Sequence, residues 1–389
     1  MKILLFSSAP AVSGIRSGGS IVWSQAIVRM LRNRGHEVFV VTYGEKCNIY
    51  NCPEFNSGVT FVSYKSNLSF IDPVIFAAVP RMIKAAKVAS NIIKANKIDI
   101  VIASSIHEAG SLWFFSSVCT TIVMCHGYYP YELNSWLYGK RKYIHLFVYW
   151  IMEQLGKRKA KGIVCPSKWL KDRLINRLRG KEITVINNML RERPVIKQGF
   201  KKNLLNIKED EPIVISYNIM TAPFYRKAFL IYIEAVKKIF AVNKKIQFVL
   251  FGLINMESQY ILEAIKGLPI KILGKVENTF ELLSLADIFL HVSAIDTFSM
   301  ITLEAMSVGL PVIATNNGAL GELIEHNKTG ILVSDDPGEI AKALLDLVIN
   351  KEKAQRLAGK AKVASQKYSE DKISVVWENY LQKILETNN

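Results

Sequence analysis

The sequence predicts an α/β protein with two doubly wound domains that face one another across a cleft. In both halves of the chain, short apolar runs alternate with stretches whose apolar residues recur at helical spacing. A charged segment poor in large apolar residues, 191–211, lies between the halves and is the predicted linker. A chain of 389 residues is long enough for both domains.

The first domain is predicted to span residues 1–190, because its apolar runs have the length of buried strands. The predicted strands are Lys2–Ser7, Glu37–Thr42, Ile98–Ala103, Thr121–Cys125 and Gly162–Cys165. A loop rich in Ser and Gly, 13–20, follows the first of them, and residues 21–33 have the spacing of a helix. Each later strand lies near a helical stretch, so we expect parallel strands joined by crossover helices.

The second domain, 212–365, is predicted to repeat this plan. Its predicted strands are Pro212–Tyr217, Ile246–Phe251, Ile270–Leu273, Ile288–Val292, Pro311–Ala314 and Gly330–Val333, and its clearest helices are Phe229–Phe240, Thr302–Val308 and Gly338–Ile349. Residues 366–389 are predicted to form a helical segment that packs back on the first domain.

Composition narrows the class of protein. No uncharged apolar run reaches the 18 residues of a transmembrane helix, and the apolar start of the chain is too short for a signal peptide, so a cytoplasmic location is expected. Cys47 and Cys52 have no second pair or histidine cluster to complete a metal site. The other three cysteines lie in apolar runs, where a buried thiol is the ordinary role.

The charge is concentrated in the first half. Residues 1–190 contain 25 Lys and Arg against 10 Asp and Glu, whereas residues 191–389 contain 25 against 23. The stretches Pro73–Lys97 and Tyr138–Lys161 mix basic residues with apolar or aromatic ones, which favours contact with an anionic membrane surface. Alternatively, these basic residues form the solvent-exposed faces of helices that cover an ordinary apolar core. Nucleic acid is not expected, because no binding motif accompanies the charge.

The chemistry is predicted to lie after the strand 288–292. Ligands of open α/β sheets bind at the carboxyl ends of strands, where helix N-termini offer free N–H groups to anions. Asp296 lies in the loop after this strand and Glu304 lies eight residues later in the next helix. Such a pair can accept hydrogen bonds from sugar hydroxyls, while the helix N-terminus holds a phosphate. Alternatively, Glu304 balances the helix dipole and Asp296 caps a turn. His291 is predicted to have a structural role.

Several fixed spacings in this region resemble the motif of glycosyltransferase family 4. They are Asp296–Ser299, Thr302–Met306 with its Glu-Ala-Met, Gly309–Ala314 with its Gly-x-Pro-Val, Gly318 and Glu322–Ile324. The resemblance implies the GT-B fold, two Rossmann-like domains, and retaining transfer of a sugar from a nucleotide-sugar. It also implies catalytic roles for His126, Asp296 and Glu304.

The resemblance extends more loosely to the rest of the chain. The residues predicted to bind the donor are Gly18, Gly19, Arg226, Lys227, Val276, Phe298, Ser299, Met300 and Glu304. Glycines in the first loop let backbone N–H groups approach the donor phosphates, because glycine has no Cβ. The expected acceptor side includes His107, Glu108 and Asn188.

Two departures from the family pattern concern the donor. The first acidic residue is usually Glu, and here Asp296 is shorter by one methylene. The usual phosphate-binding Arg and Lys-Gly are replaced, since Ala228 follows Lys227 and no Arg stands at the usual place upstream. Arg226 is the candidate substitute, because a guanidinium can bind phosphate oxygens in a bidentate way.

No Asp-x-Asp triplet follows a strand, so transfer without a metal is expected, with no cofactor and with a UDP- or GDP-linked sugar as substrate. The expected acceptor is a lipid-linked or other oligosaccharide in surface polysaccharide biosynthesis, and the expected location is peripheral, at the inner face of the membrane. The alternatives are a catalytically degenerate scaffold of the same fold at the membrane, and a sugar-nucleotide epimerase or glucan synthase.

Overall fold

The structure is a computed structural model and describes residues 1–6, 19–43, 59–64, 78–115, 119–127, 142–191, 205–219, 223–253, 259–276 and 278–387. The chain divides into two compact units. One consists of Met1–Met189 with Asp371–Asn389, and the other of Leu190–Glu370.

The first unit is built on seven strands: β1 (Lys2–Phe6), β2 (Glu37–Tyr43), β3 (Val59–Tyr64), β4 (Ile100–Ala103), β5 (Thr120–Met124), β6 (Ala160–Cys165) and β7 (Ile183–Val185). They pair in parallel in the order β3-β2-β1-β4-β5-β6-β7. The helices between them are α1 (Gly19–Asn33), α2 (Ala78–Asn96), α3 (Ile106–Leu112), α4 (Lys142–Lys159) and α5 (Lys168–Ile175). The sheet order reverses between β1 and β4, which is the topological switch point of this unit.

Both faces of this sheet are buried. Along β1, Ile3 and Leu5 pack into one apolar cluster, and Leu4 and Phe6 pack into another. Successive side chains of a strand point to opposite faces, so the continuous apolar run indicates a strand covered by helices on both sides. This is the arrangement that the apolar runs of the sequence predicted.

The second unit is built on six strands: β8 (Ile213–Ile219), β9 (Gln247–Leu253), β10 (Ile270–Gly274), β11 (Ile288–His291), β12 (Val312–Thr315) and β13 (Ile331–Val333). They pair in parallel in the order β10-β9-β8-β11-β12-β13. The helices are α6 (Pro223–Val242), α7 (Gln259–Ile265), α8 (Thr279–Leu283), α9 (Met300–Val308), α10 (Leu320–Leu323), α11 (Pro337–Ile349) and α12 (Lys351–Ser365). Here the sheet order reverses between β8 and β11.

The helix α13 (Glu370–Glu386) completes the first unit. Trp377 is fully buried, and its ring lies 6.3 Å from that of Trp23 on α1. Tyr380 packs against Gly162 on β6, where an added Cβ would lie 2.1 Å from the tyrosine hydroxyl oxygen. His36 Nε2 lies 2.8 Å from Oε1 of Glu378 on the same helix. The helix therefore belongs to the core of the first unit, and it starts four residues after the 366 that the sequence predicts.

The sequence prediction of α/β architecture with two doubly wound domains is confirmed. All eleven predicted strands occur, with ends that differ by a few residues. Two strands were not predicted, β3 and β7, because the first alternates polar with apolar residues and the second has only three residues. Within the described residues, no helix is sufficiently long and apolar to cross a bilayer.

Candidate active site

The switch point of the second unit lies where the parallel strands β8 and β11 are neighbours, with Ser216 opposite Leu290. Their carboxyl ends therefore lie at the same edge of the sheet, where ligands of doubly wound folds bind. The loop 292–299 joins β11 to α9, and α6 is the next helix after β8. Apart from Val276, the donor residues predicted for this unit lie in the first two turns of α6, in this loop or on α9.

The N-terminus of α9 is well formed. The Ser299 hydroxyl accepts a hydrogen bond from the backbone N–H of Thr302, which is the usual arrangement of an N-cap. Phe298, Ser299 and Met300 are all buried, so they fix the position of the first turn. The positive end of the helix dipole and the free N–H groups of this turn favour an anion at the sheet edge. At the other end, Gly309 closes the helix with φ +84°.

Glu304 is the most enclosed acidic group at this edge. Its side chain is 4% exposed, and its Oε1 lies 3.0 Å from Nε of Arg191. Its Oε2 accepts a hydrogen bond from the Thr279 hydroxyl, at the start of α8, and another from Arg191 at 3.4 Å. Arg191 also donates to the Thr279 hydroxyl oxygen. The sequence did not predict Arg191 or Thr279 as site residues, and Arg191 was instead placed in the linker.

Asp296 is held from three sides. His291 Nε2 lies 3.2 Å from its Oδ2, and the backbone N–H of Phe298 donates to its Oδ1 at 3.1 Å. Its backbone carbonyl accepts a hydrogen bond from Ala319 at 2.7 Å. Gly318 makes this last contact possible: its φ is +70°, and an added Cβ would lie 2.0 Å from the Asp296 carbonyl oxygen. The glycine of the family motif is therefore required by a close backbone approach.

His291 contacts Asp296, one of the predicted site residues, in addition to its packing in the core. Its ring is 5% exposed, stacks on Phe289 and contacts Asp296. Ser299 also lies near it, 3.4 Å from the same Nε2 atom. A hydrolytic triad needs the serine and the aspartate on opposite ring nitrogens. Since both meet Nε2, this cluster positions Asp296 rather than activating Ser299 as a nucleophile.

Tyr217 lies on β8, near enough to Asp296 and Glu304 for their charges to act on its phenol. Burial raises the pKa of its phenol, and the charges of Tyr225, Asp296 and Glu304 raise it further. Its ring meets Phe251 edge-on at 5.3 Å. The phenol therefore keeps its proton at neutral pH beside two carboxylates. The sequence did not indicate this residue.

The two predicted phosphate ligands behave differently. Lys227 has a side chain that is 77% exposed, and its Nζ lies 4.0 Å from Asp335. Asp335 in turn accepts from Asn317, which bonds to the carbonyl of Ser293 after β11. Lys227 is thus connected to the loops at the carboxyl ends of three further strands. Arg226 instead places its guanidinium 3.8 Å from the ring centroid of Tyr260. Its use as a phosphate ligand stays a prediction.

Two other predictions concern turns and donor contacts. Asp336 caps α11 by accepting a hydrogen bond from the backbone N–H of Glu339. Val276 is half-buried after β10. Among the described residues, no group of three or more His, Cys, Asp or Glu side chains lies close enough to hold a metal ion.

His126 follows β5 in the first unit. Its ring meets Trp23 edge-on at 4.5 Å, and burial lowers its pKa to about 3. The imidazole is therefore neutral at physiological pH and can exchange hydrogen bonds without carrying charge. Gly19 begins α1, so the glycine-rich loop feeds a helix N-terminus as predicted, whereas Gly18 lies outside the described residues.

The three residues predicted for the acceptor side are nearly enclosed. His107 and Glu108 lie on α3 and are 2% and 4% exposed, and burial lowers the pKa of His107 to about 3. Ser104 donates to the Glu108 carboxylate at 2.6 Å. Asn188 is 4% exposed. Their burial suits packing of the first unit, and their role toward an acceptor stays a prediction.

Comparison with known proteins identifies the family. Residues 17–191 match the family model described as Glycosyltransferase Family 4, and residues 212–350 match the model described as Glycosyl transferases group 1. The two matches span most of both units, so the chain belongs to this family of glycosyltransferases. The resemblance carried by residues 296–324 is confirmed.

Two curated relatives match this chain over only about half of its length. N-acetyl-alpha-D-glucosaminyl L-malate synthase of Bacillus anthracis is 31% identical over 193 residues, 47% of this chain and 48% of that protein. The match thus spans about half the length of this curated relative. Alpha-monoglucosyldiacylglycerol synthase of Acholeplasma laidlawii is 22% identical over 240 residues, 58% of this chain and 59% of that protein.

A solved structure agrees over the whole length. The crystal structure of HepE from Anabaena in complex with UDP-glucose superimposes with a TM-score of 0.70 at 19% identity, covering 100% of this chain and 99% of HepE. At this level of identity the likeness shows the fold, which is GT-B.

Proposed function

We propose that this protein is a metal-independent, retaining glycosyltransferase that takes a hexose from a UDP- or GDP-linked donor. One observation carries the proposal: a buried carboxylate, Glu304, lies on the helix that begins at the switch point of the second unit. Membership of the family supports the reaction class. A relative of this fold holds UDP-glucose, and this supports the donor class.

The donor would be bound at the carboxyl edge of β8 and β11. Asp296 and Glu304 are hydrogen-bond acceptors for sugar hydroxyls, because an ionised carboxylate offers only acceptor atoms. The free N–H groups at the start of α9, with Lys227, stabilise the negative charge that develops on the departing diphosphate. Neutral His126 is proposed to contact the transferring sugar through a hydrogen bond.

The proposed acceptor is a lipid-linked glycan of surface polysaccharide biosynthesis, reached at the membrane surface. One relative is named for the synthesis of a glucosyldiacylglycerol. In the first unit, Trp113, Phe114, Phe147 and Trp150 are each about half exposed, and they follow or lie on two helices that pack together. The rings of Phe147 and Trp150 stack at 6.0 Å. The last turn of α4 is basic, and exposed aromatics near basic groups suit an anionic lipid interface.

Donor binding is tested by screening nucleotide-sugars for a thermal shift, followed by measurement of nucleotide release with a lipid extract as acceptor. Glu304→Ala should lower kcat/KM by the factor that corresponds to roughly 2–4 kcal/mol of activation free energy, which is the cost of losing a buried charged hydrogen bond at the site. The control is Glu234→Ala, since Glu234 is exposed on α6. EDTA should leave turnover intact. Equal turnover of both variants, or loss of turnover in EDTA, contradicts the proposal. Binding without turnover on any acceptor favours a degenerate scaffold.

Membrane contact is tested by co-sedimentation with vesicles of phosphatidylcholine, with and without phosphatidylglycerol. The wild type should sediment with the anionic vesicles only, and the double variant Phe147→Ala, Trp150→Ala should sediment less. Leu262→Ala is the control, because Leu262 is 51% exposed on the second unit. Equal sedimentation with both kinds of vesicle removes the membrane part of the proposal.

A further inference from the structure

Arg191 makes the principal contacts of Glu304, although it lies 113 residues away in the sequence. It is the second residue of the second unit, which begins at Leu190. Its side chain is 25% exposed, and its guanidinium carbon lies 5.0 Å from the centroid of the Phe280 ring on α8. The guanidinium is therefore fixed by an aromatic ring and by Glu304 with Thr279. Arg191 is therefore held by several contacts at once, unlike the side chains of an exposed ion pair.

The contacts determine what Glu304 can still bind. An ionised carboxylate has about four acceptor positions. Oε1 faces Arg191, and Oε2 receives both the Thr279 hydroxyl and a second guanidinium nitrogen. Thus part of the carboxylate is already oriented by its own protein, and the remaining acceptor position has a defined direction.

The surrounding charges explain why a cation is needed. A buried carboxylate without a partner is costly, and a second acidic group nearby increases the cost. Asp296 follows β11 in contact with His291, and Tyr217 on β8 is close enough to both carboxylates for their charge to raise its pKa. Elsewhere around α9, Glu281 lies on α8 and Lys362 of α12 lies beside Gly309, at the opposite end of the helix. Arg191 supplies the positive charge in direct contact with Glu304.

We propose that Arg191, with Thr279, is a positioning residue of the donor site, which holds the Glu304 carboxylate in place and aimed at a hydroxyl group of the nucleotide-sugar. This inference rests on the proposed function. It adds a residue that the motif does not contain, since the motif begins more than a hundred residues later in the chain.

The test compares Arg191→Gln with Arg191→Lys, using UDP-glucose and GDP-mannose as probes and calorimetric Kd values at pH 7. Arg191→Gln should weaken binding of the accepted nucleotide-sugar by about tenfold or more. Arg191→Lys restores the charge and should recover most of the affinity.

The control is Arg177→Gln, which breaks another ion pair to a buried glutamate, Glu153, in the first unit. It should leave the nucleotide Kd unchanged. A merely structural role of Arg191 predicts instead that both glutamine variants lower the melting temperature and leave the Kd alone.

A double-mutant cycle of Arg191→Gln with Glu304→Gln gives a second measurement without ligand. The two changes should be non-additive in melting temperature, because each removes the same ion pair. Additive effects, or an Arg191→Gln protein that binds as tightly as the wild type, overturn the inference alone. If the wild type binds no nucleotide-sugar, the proposed function fails and the inference fails with it.

Discussion

The imidazole Nε2 of His291 lies 3.2 Å from Oδ2 of Asp296, across the turn that joins β11 to α9. The ring also stacks on Phe289, so its position is fixed by the core as well as by the carboxylate. Asp296 is shorter than the glutamate usual at this position, and its carboxylate is held by this ring and by the Phe298 backbone. The orientation of the first acidic group of the motif thus depends on a residue that the motif does not include.

His291→Phe should separate these effects, because a phenyl ring keeps the stacking and loses the contact with Asp296. We expect kcat to fall by the factor that corresponds to about 1.5–3 kcal/mol of activation free energy, which is the contribution of a hydrogen bond to a charged group. The stability of the fold should change little. The control is His36→Phe, which removes a contact with Glu378 in the first unit. A kcat for His291→Phe within twofold of the wild type would show that Asp296 needs no such partner.

Lys227→Ala tests the proposed contact with the diphosphate. The side chain is exposed and can turn toward a ligand. Its removal should therefore lower kcat/KM by the factor that corresponds to roughly 1.5–3 kcal/mol of activation free energy, and it should leave the stability of the fold unchanged. Lys237→Ala is matched to it, since Lys237 lies on the same helix and is exposed in a pair with Glu234. Steady-state kinetics decide the matter, and identical kinetics of the two variants rule out a role for Lys227.

Gly318→Ala should displace the backbone of Asp296. The new Cβ meets the Asp296 carbonyl oxygen at 2.0 Å, and φ +70° is unfavourable for alanine. We expect a loss of about 2–4 kcal/mol in the free energy of unfolding, together with reduced kcat. Gly359→Ala, in the helix α12 with open space around it, should be neutral or stabilising by about 0.5–1 kcal/mol. Urea titrations of both variants measure the free energy of unfolding. A Gly359→Ala protein that is less stable than the Gly318→Ala protein would contradict this prediction.

Trp377→Ala should strongly destabilise the first unit. The indole is fully buried against Trp23, and large-to-small changes of this kind cost about 3–5 kcal/mol. The adjacent Val376 is 44% exposed, so Val376→Ala should change stability by less than about 0.5 kcal/mol. Chemical denaturation checks both values. A small effect of Trp377→Ala would mean that the helix α13 contributes little to this core.

The pH dependence of stability should report the buried histidines. The pKa of His126 in the folded protein is lowered to about 3, whereas an unfolded histidine titrates near 6.5. Between these values the unfolded state binds the extra proton, so the free energy of unfolding decreases as the pH falls from about 6.5 towards 3. His126→Gln should reduce this slope by up to about 1.4 kcal/mol per pH unit, whereas the exposed Val376→Ala removes no titratable group and should not. Urea titrations at pH 7, 6 and 5 that give equal slopes for all three proteins contradict the assignment.

The fold was largely predictable because its information is local. A buried parallel strand needs a continuous apolar run, as in Ile3–Phe6, and such runs stand out in the sequence. The motif residues were predictable for a similar reason, since Asp296, Glu304 and Gly318 lie within 23 residues and are bound to fixed spacings by one loop and one helix.

The partners of those residues could not be predicted in the same way. Arg191 is one of many basic residues in the sequence, and it reaches Glu304 only after the second sheet has assembled. Thr279 is a common helix-start residue, and no spacing ties it to Glu304. Tyr217 lies within a strand, as many aromatic residues do. Contacts between residues far apart in the chain depend on the assembled packing, which neither residue type nor periodicity encodes.

The position of α13 in the core of the first unit has a consequence for how the protein is made. A ribosome completes β1 to β7, then the whole of the second unit, before it adds the indole of Trp377. At about 5–20 residues per second, the emerging first unit waits roughly ten seconds or more with Trp23 and its neighbours uncovered. The second unit, which is contiguous in the chain, can fold during that interval. We therefore expect the order of folding during translation to be the reverse of the order of synthesis, and the nascent first unit to be the species that depends on chaperones.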